Sequence, residues 1–182
     1  MKKDLLIVCV IAVVITFLAL GTKIQSVDDY YLTHLDEIQE GSETVFLSID
    51  CKKLLDPENL KSLDPNLRDE KYVPLDGVIL HMTEYVLRPN DTVFHILDRA
   101  VRHNKIPMVY QKAPLTAYNS VYIQGINHLF QFSCGELSGW AYIVNGEYQS
   151  GGSGAYKLKD GDVIEWKYTC DLGRDLGGDM GQ

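Results

Sequence analysis

Near its C-terminus the chain holds two runs that alternate with a period of two, and this most constrains what it can fold into. Residues 139–168 read GWAYIVNGEYQSGGSGAYKLKDGDVIEWKY. Trp140, Tyr142 and Val144 fall on one side of an extended segment, with Ala141 and Ile143 on the other. Asn145-Gly146 is a hairpin signal, because both residues tolerate positive φ. Asp160-Gly161 reads as a second hairpin turn, leading into a strand whose Ile164, Trp166 and Tyr168 share a side. Helical periodicity would scatter these rings, so the segment must build a sheet. Both tryptophans of the chain lie in it. The rings are either sheet core or a surface that grips something flat.

Upstream, Val45, Leu47, Ile49 and Cys51 alternate with Phe46, Ser48 and Asp50 and predict a first strand. A proline-bearing stretch follows (Pro57, Pro65, Pro74) and reads as a long surface loop with at most a helical turn. A strand pair fits residues 76–88. Val93, Ile96, Leu97, Ala100 and Val101 recur at helical spacing, with Thr92 among the N-cap choices and Pro107 beyond the end. Short strands fit 108–111 and 121–124. One main helix on a mixed sheet is an α+β arrangement. The domain is expected over 44–173, after a polar stalk at 23–43 and before a frayed tail at 174–182.

The first 22 residues are of a different kind. Lys2 and Lys3 precede an uncharged apolar run from Leu5 to Thr22, roughly 18 residues and near the lower limit for a membrane span. It reads as an anchor that leaves the domain outside the cytoplasm. The alternative is a cleaved signal peptide with Ala19 and Gly21 near the cut, giving a secreted protein. Cys51, Cys134 and Cys170 then remain in the exported part, an odd number that allows at most one disulfide among them. No Cys-x-x-Cys spacing suggests zinc.

Charge and motifs exclude several functions. Twenty-five acidic residues against 17 basic give a formal charge of −8, without the basic surface that nucleic acid requires. No nucleophile elbow surrounds Ser150 or Ser153, and the five histidines are scattered without metal spacing. SGGSG at 150–154 reads as a flexible turn, and Asp160-Gly161-Asp162 lacks the oxygen ligands of a calcium loop. Neither an enzyme nor a resident metal or cofactor is expected.

GWAYIVNG at 139–146 and YKLKDGDVIEWKYT at 156–169 closely resemble the transcobalamin-like C-terminal domain family. VFLSIDC at 45–51, DGVIL at 76–80, TVFHILDRA at 92–100, YIQGI at 122–126, FSCGELSG at 132–139 and TCDLG at 169–173 extend the resemblance in order over about residues 45–173. This family includes the C-terminal domain of the vertebrate cobalamin carriers and stand-alone domains of Firmicutes surface proteins. Ala141 departs from it, since the family often carries Met there.

The resemblance implies a β-grasp whose first and last strands run parallel and adjacent, which would bring Cys51 and Cys170 to one sheet edge as a conceivable disulfide. It also implies a corrinoid or other flat ligand. The ligand set expected on that basis is Tyr122, Trp140, Tyr142, Asn145, Gly146, Ser150, Gly151 and Tyr156. Aromatics would stack, while Asn145 and loop backbone would bind amides. Trp166 is assigned to the core; Trp140 is read either as an exposed contact or as a core or rim residue. In the carriers a helical domain supplies a second wall of the site. This chain shows none, so a partner such as a transporter is expected to supply it. The competing reading is a cell-surface interaction or adhesion module that docks protein through the same surface.

Overall fold

The computed structural model describes residues 34–112 and 121–178, with isolated positions before residue 34. β1 (Thr44–Asp50) pairs antiparallel with the nine-residue β2 (Val78–Val86). On its other side β1 pairs in parallel with β8 (Val163–Thr169). β8 in turn pairs antiparallel with β6 (Gly139–Val144), and the short β7 (Glu147–Tyr148) adds to part of its far side. The order is therefore β2-β1-β8-β6-β7. First and last strands are parallel neighbours, the topological feature that the resemblance implies.

A second sheet stands apart, with order β3-β4-β5. It is built from β3 (Met108–Lys112), β4 (Val121–Ile126) and β5 (Leu129–Phe130). The whole is mixed α+β, with two sheets where the sequence suggested one. Residues 113–120, between β3 and β4, lie outside the described residues.

Alternation positions the core. Val45, Leu47 and Ile49 of β1 are fully buried, as are Ile164 and Tyr168 of β8, with Trp166 nearly so. Helix α2 (Val93–His103) buries Val93, Ile96, Leu97 and Ala100 in the same cluster, matching the spacing read from its sequence. The Thr92 amide donates to His95 Nδ1 at 3.3 Å, so His95 helps cap the first turn.

The stretch 52–74 is not a plain surface loop. It holds two short 3₁₀ turns and helix α1 (Pro57–Ser62), and it buries Leu54, Leu63 and Val73. The segment 76–88 is one strand rather than a pair. Pairing slips twice, since Leu47 faces Thr83, Ile49 faces Leu80 and Asp50 faces Val78; these bulges break the alternation and imitate a turn.

Asp160-Gly161 is a turn but not a hairpin. Its flanks meet β1, where the Thr44 amide donates to Asp160 Oδ1 at 2.7 Å and the Gly161 amide to the Thr44 carbonyl at 2.7 Å. The tail is ordered through Gly178: Thr169 Oγ1 donates to Asp175, and the Cys170 amide donates to the same carboxylate at 3.0 Å. Residues 179–182 lie outside the described ones. Arg88 grips Asp36 of the expected stalk through two bonds of 2.8 Å, which ties residue 36 to the domain.

Among the described residues no helix is long and apolar enough to cross a membrane. That overturns the expected single-pass localisation through residues 5–22. Most of this run, including the Ala19 and Gly21 positions of the signal-peptide alternative, lies outside the described residues.

Candidate functional site

Strand geometry opens a cleft beside β6. Gln149 donates its amide to the Tyr142 carbonyl at 3.2 Å, while Asn145 donates to Val163 on the β8 side at 2.9 Å. Backbone groups alternate along a strand, so the amide and carbonyl of Trp140 also face away from β8. β7 ends before reaching them. That open edge looks toward β4, and the space between is a cavity of about 250 Å³. Val121 and Ile123 line one side, Trp140, Ala141 and Trp166 another, and the loop 148–153 covers it.

Four contacts of side chains with backbone hold the cleft's walls. Trp140 Nε1 donates to the Leu129 carbonyl at 2.7 Å, and the Tyr168 hydroxyl donates to Phe130 at 2.7 Å. Both bonds join the two sheets. The Ser153 hydroxyl donates to the Val121 carbonyl at 3.1 Å, and the Tyr142 hydroxyl to Gly151 at 3.0 Å. The glycine-rich loop is thus bolted to both walls. It also occupies the start of α2, since Phe94 and Val93 donate their amides to Ser153 and Tyr156 at 3.1 and 3.2 Å. Those amides are therefore taken, and the loop acts as a turn rather than a phosphate cradle.

Tyrosines supply the cleft's ionisable side chains, and all three phenols are held protonated. Burial raises Tyr142 to about 12, helped by Tyr156. Burial also raises Tyr122, and it raises Tyr148 with help from Asp175. At neutral pH the lining is uncharged; the Tyr142 and Tyr122 hydroxyls already donate to Gly151 and Gln131, which leaves the Tyr148 phenol, Gln149 and Ser150 as donors. Trp166 also lines the cleft. Its Nε1 is buried with no hydrogen-bond partner among the described residues.

Five of the eight expected ligand contacts line this cleft: Tyr122, Trp140, Tyr142, Ser150 and Gly151. Three do not. Asn145 and Gly146 form the hairpin turn with φ of 53° and 82°, and the Asn145 amide group donates to Asp162 at 2.8 Å while its carbonyl accepts from Val163 at 2.9 Å. Tyr156 stands behind Tyr142, edge-to-face at 6.4 Å. Trp140 is only 8% exposed, so of its two readings the structure takes core or rim. Tyr148 and Gln149, which lie between the turn and Ser150, also line the cleft and were missed.

The disulfide implied between Cys51 and Cys170 is not formed. The parallel register sets Asp50 beside Lys167, so Cys51 is level with Tyr168 and two residues, about 7 Å, short of Cys170. Cys51 is fully buried, and the Cys170 sulfur faces Cys134 instead. Among the described residues no group of three or more His, Cys, Asp or Glu could hold a metal ion.

Residues 90–170 match the family described as "Domain of unknown function (DUF4430)". No curated protein matches the chain. Among solved structures, the chain is similar to haptocorrin in complex with Cbi, at 14% identity and a TM-score of 0.48. The likeness covers 75% of this chain but 27% of that one, so the chain spans about a quarter of haptocorrin's length. A second is a "putative metal binding protein" from Ruminococcus gnavus ATCC 29149, at 8% identity and a TM-score of 0.39, covering 70% of this chain and 96% of that one. By its ordered motifs and the matched segment 90–170, the chain resembles the transcobalamin-like C-terminal domain family.

Proposed function

We propose that the protein is a non-catalytic binding module for a neutral, flat ligand of the corrinoid kind, and that it supplies one wall of the site. The observation that carries this reading is the uncharged cleft between β4 and β6, which both tryptophans line. Its lining suits amide-bearing edges of a ligand, because phenol, amide and hydroxyl groups stand beside aromatic rings. At about 250 Å³ it falls below the usual 300–1,000 Å³ of a pocket for a drug-sized ligand. A corrinoid would insert an edge and leave most of its surface outside. A partner such as a transporter would cover the rest, and affinity without one is weak.

Titration of the chain with cobalamin and cobinamide tests this, read by tryptophan fluorescence and calorimetry. Saturable quenching at micromolar ligand is expected. No saturable signal at high micromolar ligand overturns a ligand-binding role for the isolated chain. The open backbone edge at Trp140 supports the rival reading, in which an extended peptide adds to β6. Protection of the Trp140 amide from hydrogen exchange by peptide, with no response to corrinoid, would favour that reading.

A further inference from the structure

Cys134 lies in the loop before β6 and Cys170 follows β8 directly, and their sulfurs are 3.5 Å apart. The neighbouring strand pair closes with Gly139 opposite Thr169. The two thiols therefore sit just past the open end of the β6–β8 ladder. A disulfide bond measures about 2.05 Å, so the sulfurs need approach by only roughly 1.5 Å. Both belong to ordered surroundings. The Cys134 amide donates to Ser138 Oγ at 3.0 Å, and the Cys170 amide is held by Asp175. Cys51 is sealed in the core and forms no disulfide.

We propose that Cys134 and Cys170 are a dithiol that closes to a disulfide and locks this end of the ladder to the tail that shapes the cleft. The linkage runs through named contacts. Leu172 donates its amide to the Leu137 carbonyl at 2.8 Å, and Gly173 donates to Thr169 Oγ1 at 2.7 Å. Gly173 lies directly against the Tyr148 ring, which lines the cleft. Fixing Cys170 to Cys134 fixes the start of this tail from both sides. The inference does not depend on which ligand, if any, the cleft takes.

A low-molecular-weight disulfide, RSSR, is the oxidant. Cys170 is the more exposed of the pair. Its thiolate attacks one sulfur of RSSR, forming a mixed disulfide and releasing RS⁻. The Cys134 thiolate then attacks the Cys170 sulfur and releases the second RS⁻. Two cysteine thiols lose two electrons and two protons; RSSR gains both and leaves as two RSH. Burial holds both thiols above the ordinary range, so exchange at neutral pH is slow in each direction.

The test incubates the full chain in oxidised and reduced glutathione at a series of ratios, blocks free thiols by alkylation, and maps peptides by mass spectrometry. The expected product joins Cys134 to Cys170 and leaves Cys51 a thiol. Its midpoint in urea rises by something on the order of 1 M, an effect that grows with the logarithm of the loop closed. Cys170→Ser abolishes the cross-link. A cross-link that uses Cys51 or Cys9 instead overturns the proposal. So does full alkylation of both thiols in the most oxidising buffer while the chain stays folded. Should the serine variant fail to fold, the wild-type peptide map alone decides.

Discussion

The indole N–H of Trp140 donates to the Leu129 carbonyl at 2.7 Å, a bond between two sheets that share no strand. Leu129 is fully buried, so its carbonyl cannot turn to water. Trp140→Phe keeps a ring but removes this bond between the sheets, at a cost of about 0.5–1.5 kcal/mol. Urea denaturation should show the loss in the midpoint, with fluorescence of Trp166 as the probe. An unchanged midpoint would mean that the sheets are joined by other contacts.

Arg99 and Asp91 form the most enclosed ion pair among the described residues, with both side chains 8% exposed. Arg99 Nη1 and Nη2 reach the two carboxylate oxygens at 3.1 and 2.6 Å, and Nη2 also donates to the Val86 carbonyl at 2.9 Å. Asp91 accepts the Arg88 amide as well, at 2.8 Å. Asp91→Ala strands a buried guanidinium, and a loss of about 3–5 kcal/mol is expected. Glu58→Gln breaks the exposed pair with Lys61, whose side chains are 90% and 74% exposed, and should cost below about 0.5 kcal/mol. Thermal unfolding of the two variants side by side checks the contrast.

Most of the five-stranded sheet and the main helix were readable because each carries one clean period. The apolar positions of α2 repeat at helical spacing, those of β1 and β8 alternate, and β6 is a short apolar run ended by its Asn145-Gly146 turn. The bulged β2 was not readable as one strand, because pairing slips on both sides of Ile49. Nor could alternation tell that β3 and β4 leave the main sheet. The pattern is the same whichever neighbour a strand chooses, and that choice is fixed by long-range bonds such as Tyr168 to Phe130. Ser150 and Gly151, named on the resemblance, line the cleft, whereas the loop's composition alone read as a flexible turn. Asn145 looked equally polar, but its amide is consumed by its own turn. The Cys134–Cys170 approach depends on register and loop path, which spacing alone does not encode.

Alkali should unfold the protein through its tyrosines. Burial raises both Tyr142 and Tyr168 to about 12, against about 10 in an unfolded chain. The folded state therefore binds more protons than the unfolded one between these values, and stability falls as pH rises. Their contribution is whole below pH 10 and drains away toward pH 12. Urea midpoints measured from pH 8 to 12 should be level at first and then decline. Tyr142→Phe should flatten the decline, at the cost of the bond to Gly151. A flat profile across that range would contradict the burial of these phenols.

Gly173 and Gly151 separate stability from binding. Gly173 has φ of +86°, and a Cβ there would enter the Tyr148 ring. Gly173→Ala thus strains the backbone and displaces Tyr148, so both the urea midpoint and any ligand affinity should fall. Gly151 is different. A Cβ there meets nothing within 4 Å, yet the residue lines the cleft and its carbonyl accepts from Tyr142 at 3.0 Å. Gly151→Ala therefore adds a methyl at the cleft's mouth without a clash inside the fold. Its unfolding free energy from urea titration should stay within about 0.5 kcal/mol of wild type, while the fluorescence response to cobinamide weakens several-fold. An equal response in both proteins would remove the loop 148–153 from the site and leave the β6 edge as the surface to test.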